Sequence, residues 1–196
     1  MQKNIILAAW LLALAACQKP DTPAPSPEPP SELRYQDLSG YAIRFGEPPK
    51  FVDIDQDGED DMLFGYRLVG DPIYRVDKKQ WLVVTGMSTR VPVNGVEQSP
   101  MLRRQDLLPV EPFGGYAWSN AVDIVLVERV EDIASRIQWN GSFRAANRHY
   151  LPIQKVRNGL RYNGWVEISA DTAGQRLILH RAAFARTGER PVVAGQ

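Results

Sequence analysis

The chain reads as an all-β protein: a two-layer antiparallel β-sandwich behind an N-terminal signal peptide and a proline-rich tether. Three observations predict this. From Leu33 onward, short runs rich in Val, Ile, Leu, Tyr and Trp alternate with Gly, Asn, Asp and Pro breaks. Asn158-Gly159 lies between two strand-like runs, a strong hairpin signal because both turn positions tolerate a positive φ. No repeat at the period of a solenoid or propeller occurs, so seven or more strands in one domain suit two packed layers.

Composition narrows the function classes. With 196 residues and 44% hydrophobic content the chain can bury one sizeable core. Lys+Arg and Asp+Glu both number 23, so no basic excess exists to grip a phosphate backbone and no nucleic-acid partner is expected. The single cysteine excludes a disulfide framework, a CxxC redox pair and a cysteine-rich zinc site. Two histidines leave little for a His-based metal centre.

In chain order, residues 1–16 come first. Lys3 precedes an apolar run from Ile5 to Leu14, too short to span a bilayer, which needs ~20 residues, but right for a secretory signal peptide. Leu14-Ala15-Ala16-Cys17 resembles the lipobox of bacterial lipoproteins. That resemblance implies acylation of Cys17, cleavage just before it and a lipid-membrane anchor carrying palmitate-type chains. Two or three chains make such an anchor permanent, since each buried methylene contributes about 0.8 kcal/mol. Gln18, rather than Asp, follows the cysteine, which by the same resemblance implies sorting to the outer membrane. Residues 17–32 form the lipidated cysteine and tether. Six of the fifteen residues from Gln18 to Glu32 are proline and none is large and apolar. Such a segment cannot offset its ordering entropy and, extended, reaches on the order of 45 Å.

Residues 33–196 form the sandwich. Expected strands are Tyr41–Phe45, Met62–Val69, Gln80–Thr85, Asp123–Val130, Tyr150–Arg157, Leu160–Ser169 and Arg176–Ala185. The nearly continuous apolar run from Asp123 suits a strand covered on both faces, and Glu131 to Gln138 suits one short helix.

The segment from Phe51 to Met62 carries the chemistry. Asp53, Asp55, Asp57 and Asp61 occupy positions 1, 3, 5 and 9 of a DxDxDGxxD pattern, with Glu59 at position 7 and Gly58 at the sharp turn. Alternating carboxylates converge when a backbone wraps a hard cation, and an all-oxygen set suits structural Ca²⁺. Position 12 is Phe64 instead of a bidentate glutamate, and strand-like residues follow, so this is not an EF-hand. The segment is similar to the short calcium loops of bacterial extracellular repeats and integrin-type blades. Without a counter-ion, five Asp and one Glu in nine residues repel one another. An acidic turn without metal, or one holding another cation, is the alternative.

Tyr150-Leu151-Pro152-Ile153, Tyr162-Asn163-Gly164-Trp165-Val166 and Ala183-Phe184-Ala185, with a closing Pro191-to-Gly195 segment, resemble a group of uncharacterised bacterial secreted and surface β-domains with a YxGW strand. That resemblance implies export and a β fold, not a reaction. Phe113-Gly114-Gly115-Tyr116-Ala117-Trp118 is a glycine-hinged aromatic loop, and Tyr116 and Trp118 are the candidate ligand contacts. Trp165, Trp81 and His180 are expected to be structural. No GxSxG, HExxH, P-loop or GxGxxG occurs. The resulting expectation is a membrane-anchored, calcium-stabilised, non-enzymatic binding or structural module of the envelope, partnered by a glycan or an envelope protein. A calcium-dependent carbohydrate-binding or carbohydrate-active protein is the alternative.

Overall fold

A computed structural model describes residues 32–196. The expected signal peptide, Cys17 and all of the tether before Glu32 lie outside the described residues. Fourteen strands follow one another: β1 (Leu33–Asp37), β2 (Ala42–Arg44), β3 (Lys50–Val52), β4 (Met62–Asp71), β5 (Val76–Thr85), β6 (Thr89–Val93), β7 (Leu107–Leu108), β8 (Ala117–Asn120), β9 (Asp123–Asp132), β10 (Ile137–Asn140), β11 (His149–Arg157), β12 (Leu160–Asp171), β13 (Arg176–Ala185) and β14 (Val192–Val193).

All pairings are antiparallel. One sheet runs β1-β13-β12-β11-β6-β8, with β2 also on β13; the second runs β10-β9-β5-β4-β3; β14 and β7 form a small third pair. The first two pack face to face as a sandwich, as the alternating breaks in the sequence predict. Asn158-Gly159 makes the β11–β12 turn, both residues at positive φ.

The main core lies between the two large sheets. Phe64, Val83, Leu126, Leu151, Val166 and Leu179 are fully buried there. The indole of Trp81 joins them and donates to the Ile43 carbonyl at 3.0 Å, so its polar edge is satisfied inside. A second, smaller core covers the outer face of the first sheet. There Trp165 and Tyr150 pack under Leu108, Val192 and Ala194, and the Trp165 indole donates to the Val193 carbonyl. Trp165 is therefore a core residue, as its sequence context predicts.

Two local expectations fail. Glu131 to Gln138 is no helix: β9 continues to Asp132, a turn follows, and β10 begins at Ile137. Asp132 Oδ1 accepts the Ala134 and Arg136 amides, and that local turn outcompetes a helical path. Nor is β9 covered on both faces. Its odd-numbered start and Glu128 face a polar outer surface, where Gln80 donates to Glu128.

Candidate metal centre

The acidic loop leaves β3 at Val52 and enters β4 at Met62, two residues paired across the sheet. The Asp61 amide donates to the Val52 carbonyl at 3.0 Å, so the excursion closes on itself. Ile54, 2% exposed, drops into the main core and pins the loop from within. Gln56 and Gly58 turn the chain at positive φ, which costs a glycine nothing.

The carboxylates also shape the loop. Asp53 accepts the amides of Asp57 at 3.2 Å and Gly58 at 2.8 Å. Asp57 accepts the Glu59 amide, and Asp61 Oδ2 accepts the Ile54 amide at 2.9 Å. Glu59 is exposed and meets the loop through that amide. The structure brings one carboxylate oxygen each of Asp53, Asp55 and Asp61 within 4.8 Å of one another. This trio, partly to fully buried, is able to hold a metal ion.

A cation from the opposite sheet already points at it. Lys155 on β11 places its Nζ 2.8 Å from Asp55 Oδ1, 2.8 Å from Asp61 Oδ1 and 2.9 Å from Asp57 Oδ2. Thr89, the register partner of Lys155, donates to Asp61 Oδ1 at 3.1 Å, and Arg157 reaches Asp55 Oδ2 at 3.3 Å. The side chains of Asp55, Asp61 and Lys155 are 0%, 3% and 7% exposed. Electrostatics follow from this packing. Burial pushes the Asp55 carboxyl up, more than Lys155 pulls it down. The bonds from Lys155 and the Glu59 amide pull Asp57 down. Burial opposes the charge on Lys155, but its bonds to Asp55, Asp61 and Asp57 outweigh that and hold the ammonium well above its ordinary range.

A calcium ion coordinates oxygen at 2.3–2.6 Å. Such an ion on these same Asp55 and Asp61 oxygens would share its place with the Lys155 ammonium, so one excludes the other. Four aspartates against Lys155 and Arg157 still leave a formal surplus of two negative charges. Sequence reasoning found the aspartates and missed Thr89, Lys155 and Arg157. Lys155 lies about a hundred residues downstream, and no local pattern links it to the loop.

The aromatic loop is folded against the small core. Gly114 and Gly115 both take positive φ, and Phe113 and Tyr116 exchange backbone bonds around them. The ring of Trp118 lies 6.2 Å from Phe113 and packs on the cluster around Trp165. Tyr116 is half-buried beside Phe113. Trp118 therefore uses its apolar surface in packing.

A second buried charge cluster lies on the outer face of the first sheet. Glu167, 2% exposed, accepts Arg181 Nε at 2.6 Å and Arg148 Nη1 at 3.1 Å. Burial opposes its ionisation, but the two arginines win and hold the carboxyl below its usual range. Pairing shifts between Glu167 and Ile168, which leaves His180 as the extra residue of a bulge, its Nε2 2.9 Å from Ser169 Oγ. Burial and the neighbouring Arg148 push the His180 imidazole down. Comparison of the chain with protein-family models, with curated proteins and with solved structures gives no match.

Proposed function

We propose that the protein is a non-enzymatic binding or structural module of the bacterial cell envelope. It is held at the outer membrane by an acylated Cys17, and its acidic loop serves to rivet the two sheets together. The observation that carries the riveting role is the convergence of Asp55, Asp57 and Asp61 on the buried Lys155 ammonium, while the anchor rests on the likeness of Leu14-Ala15-Ala16-Cys17 to a lipobox. Three of the loop's carboxylates, those of Asp55, Asp57 and Asp61, are engaged by cations across the sandwich, which is a structural use of carboxylates.

Calcium as the resident cation is the second reading. It is favoured by the close approach of Asp53, Asp55 and Asp61 and by the two surplus negative charges. In it, Lys155 withdraws and Ca²⁺ takes the focus through Asp53, Asp55, Asp57 and Asp61, with Glu59 on the rim. Thermal unfolding with calcium and with chelator separates the two. The rivet reading expects the parent protein to melt at one temperature in both, with Lys155→Met acquiring a calcium-dependent rise. A chelator-induced fall in the parent itself would establish the calcium reading instead. For the anchor, Cys17→Ser should abolish incorporation of labelled palmitate and leave residues 1–16 uncleaved, read as a heavier band.

A further inference from the structure

Two neighbouring hairpins of the second sheet end in apolar tips that face solvent. Ile73 and Tyr74, in the β4–β5 turn, are 84% and 77% exposed, and Ile133, in the β9–β10 turn, is 74% exposed. Val76 pairs with Asp132, so the two turns sit side by side, and residues from both line one cleft of about 470 Å³. Both turns are closed by aspartate side chains. Asp71 Oδ1 accepts the amides of Ile73 and Tyr74, and Asp132 Oδ1 accepts those of Ala134 and Arg136. Arg75 and Ser135 complete the turns at positive φ. From these bonded turns Ile73, Tyr74 and Ile133 present their apolar side chains to solvent.

The path of the chain says what they meet. Leu33 pairs with Ala185, and the Glu32 carbonyl accepts the Arg186 amide, so the chain before Glu32 joins at the end of the sandwich where β13 finishes. The apolar tips lie beyond the opposite end, past the start of β13, where Gln175 meets Lys79. A ten-residue strand such as β13 is about 33 Å long. The proline-rich segment, read as extended, reaches on the order of 45 Å. The tips overhang the start of β13 by several residues of β4 and β5 and so stand farther from Glu32 than one strand length, and the tether gives an anchored domain the slack to lie along the bilayer and bring that far end to the lipid.

We infer that Ile73, Tyr74 and Ile133 dock this domain onto a lipid bilayer, a second contact that rests on the lipid-anchored reading above. Charge does not drive it. Arg75, Lys78, Arg129 and Arg136 around the tips balance Asp71, Asp77, Glu131 and Asp132, and Asp71–Lys78, Asp132–Arg136 and Glu131–Arg129 are paired. Isoleucine supplies apolar area, and tyrosine suits the headgroup boundary.

Vesicle flotation of the chain from Gln18 onward, which lacks both the acyl cysteine and the apolar run from Ile5 to Leu14, tests this. That chain should float with phosphatidylethanolamine–phosphatidylglycerol vesicles and equally with neutral phosphatidylcholine vesicles. Each of Ile73→Ser, Tyr74→Ser and Ile133→Ser should weaken partitioning about ten-fold. The triple variant should stay with the soluble protein at an unchanged melting temperature. Met87→Ser and Val96→Ser, equally exposed but elsewhere, should float like the parent. Failure of the chain from Gln18 onward to float, or flotation of its triple variant, overturns the inference. So does loss of a dimer in the triple variant with flotation intact, which would make the occupant a second copy of the chain. Palmitate labelling of the parent reports on the anchor separately, so the two readings fail independently.

Discussion

Replacing Lys155 by methionine removes the ammonium and keeps most of the side-chain volume. It strands the carboxylates of Asp55 and Asp61, both almost wholly inaccessible, beside a more exposed Asp57. Breaking a buried ion pair from one side costs about 3–5 kcal/mol. Arg157 still touches Asp55, which places the expected loss near the lower bound, about 3 kcal/mol. For a domain of this size each kcal/mol moves the melting temperature about 2–4 °C, so a fall of roughly 6–12 °C is expected. Urea unfolding at neutral pH in the presence of chelator measures it directly. Adding Asp55→Asn and Asp61→Asn to the same chain should recover much of the loss, because the stranded charges are then gone. A Lys155→Met loss under about 1 kcal/mol, or a triple variant in which the losses simply add, refutes the riveted-loop reasoning.

Other outcomes follow from the same structure. Glu167 has its carboxyl lowered on folding, so it stabilises the fold above its ordinary value of 4.5, and that contribution is lost as pH falls through the lower folded value; Glu167→Gln should flatten the acid limb of a stability–pH profile. Asp55 runs the other way: a raised carboxyl adds stability at acid pH that is lost as pH rises from 3.8 through the raised value, and Asp55→Asn should remove that slope. Gly141→Ala places a Cβ 2.4 Å from the Leu126 carbonyl oxygen at a φ of +96°, so it should cost well over about 1 kcal/mol in denaturant unfolding. Trp118→Ala should cost about 2 kcal/mol by uncovering the small core, and an unchanged stability would restore the loop as a free ligand surface.

The long strands were legible because their apolar runs are long. Met62 onward, Leu160 onward and Arg176 onward each bury several successive side chains, and composition alone marks them. β1 and β8 were not, since LRYQD and AWSN carry no alternation strong enough to separate them from loop. The segment after Glu131 looked helical because Ala134, Arg136 and Gln138 are helix formers, while the turn-forming Asp132 decided the outcome. In the acidic loop the spacing revealed the wrap of the backbone but not its counter-charge. A lysine inside a strand reads as a solvent-facing residue; the pleat sets Lys155 on the inner face with Leu151 and Ile153, and the acidic loop packed there receives it.

The placement of β1 has a mechanical meaning. It is a sheet edge, joined to β13 by five register pairs from Leu33–Ala185 to Asp37–Arg181. Tension applied to the chain at Glu32, against a domain gripped at its far end, acts along this strand's own axis. The backbone bonds of β1 then bear load together in shear, so the strand resists detachment better than one unzipped from its tip.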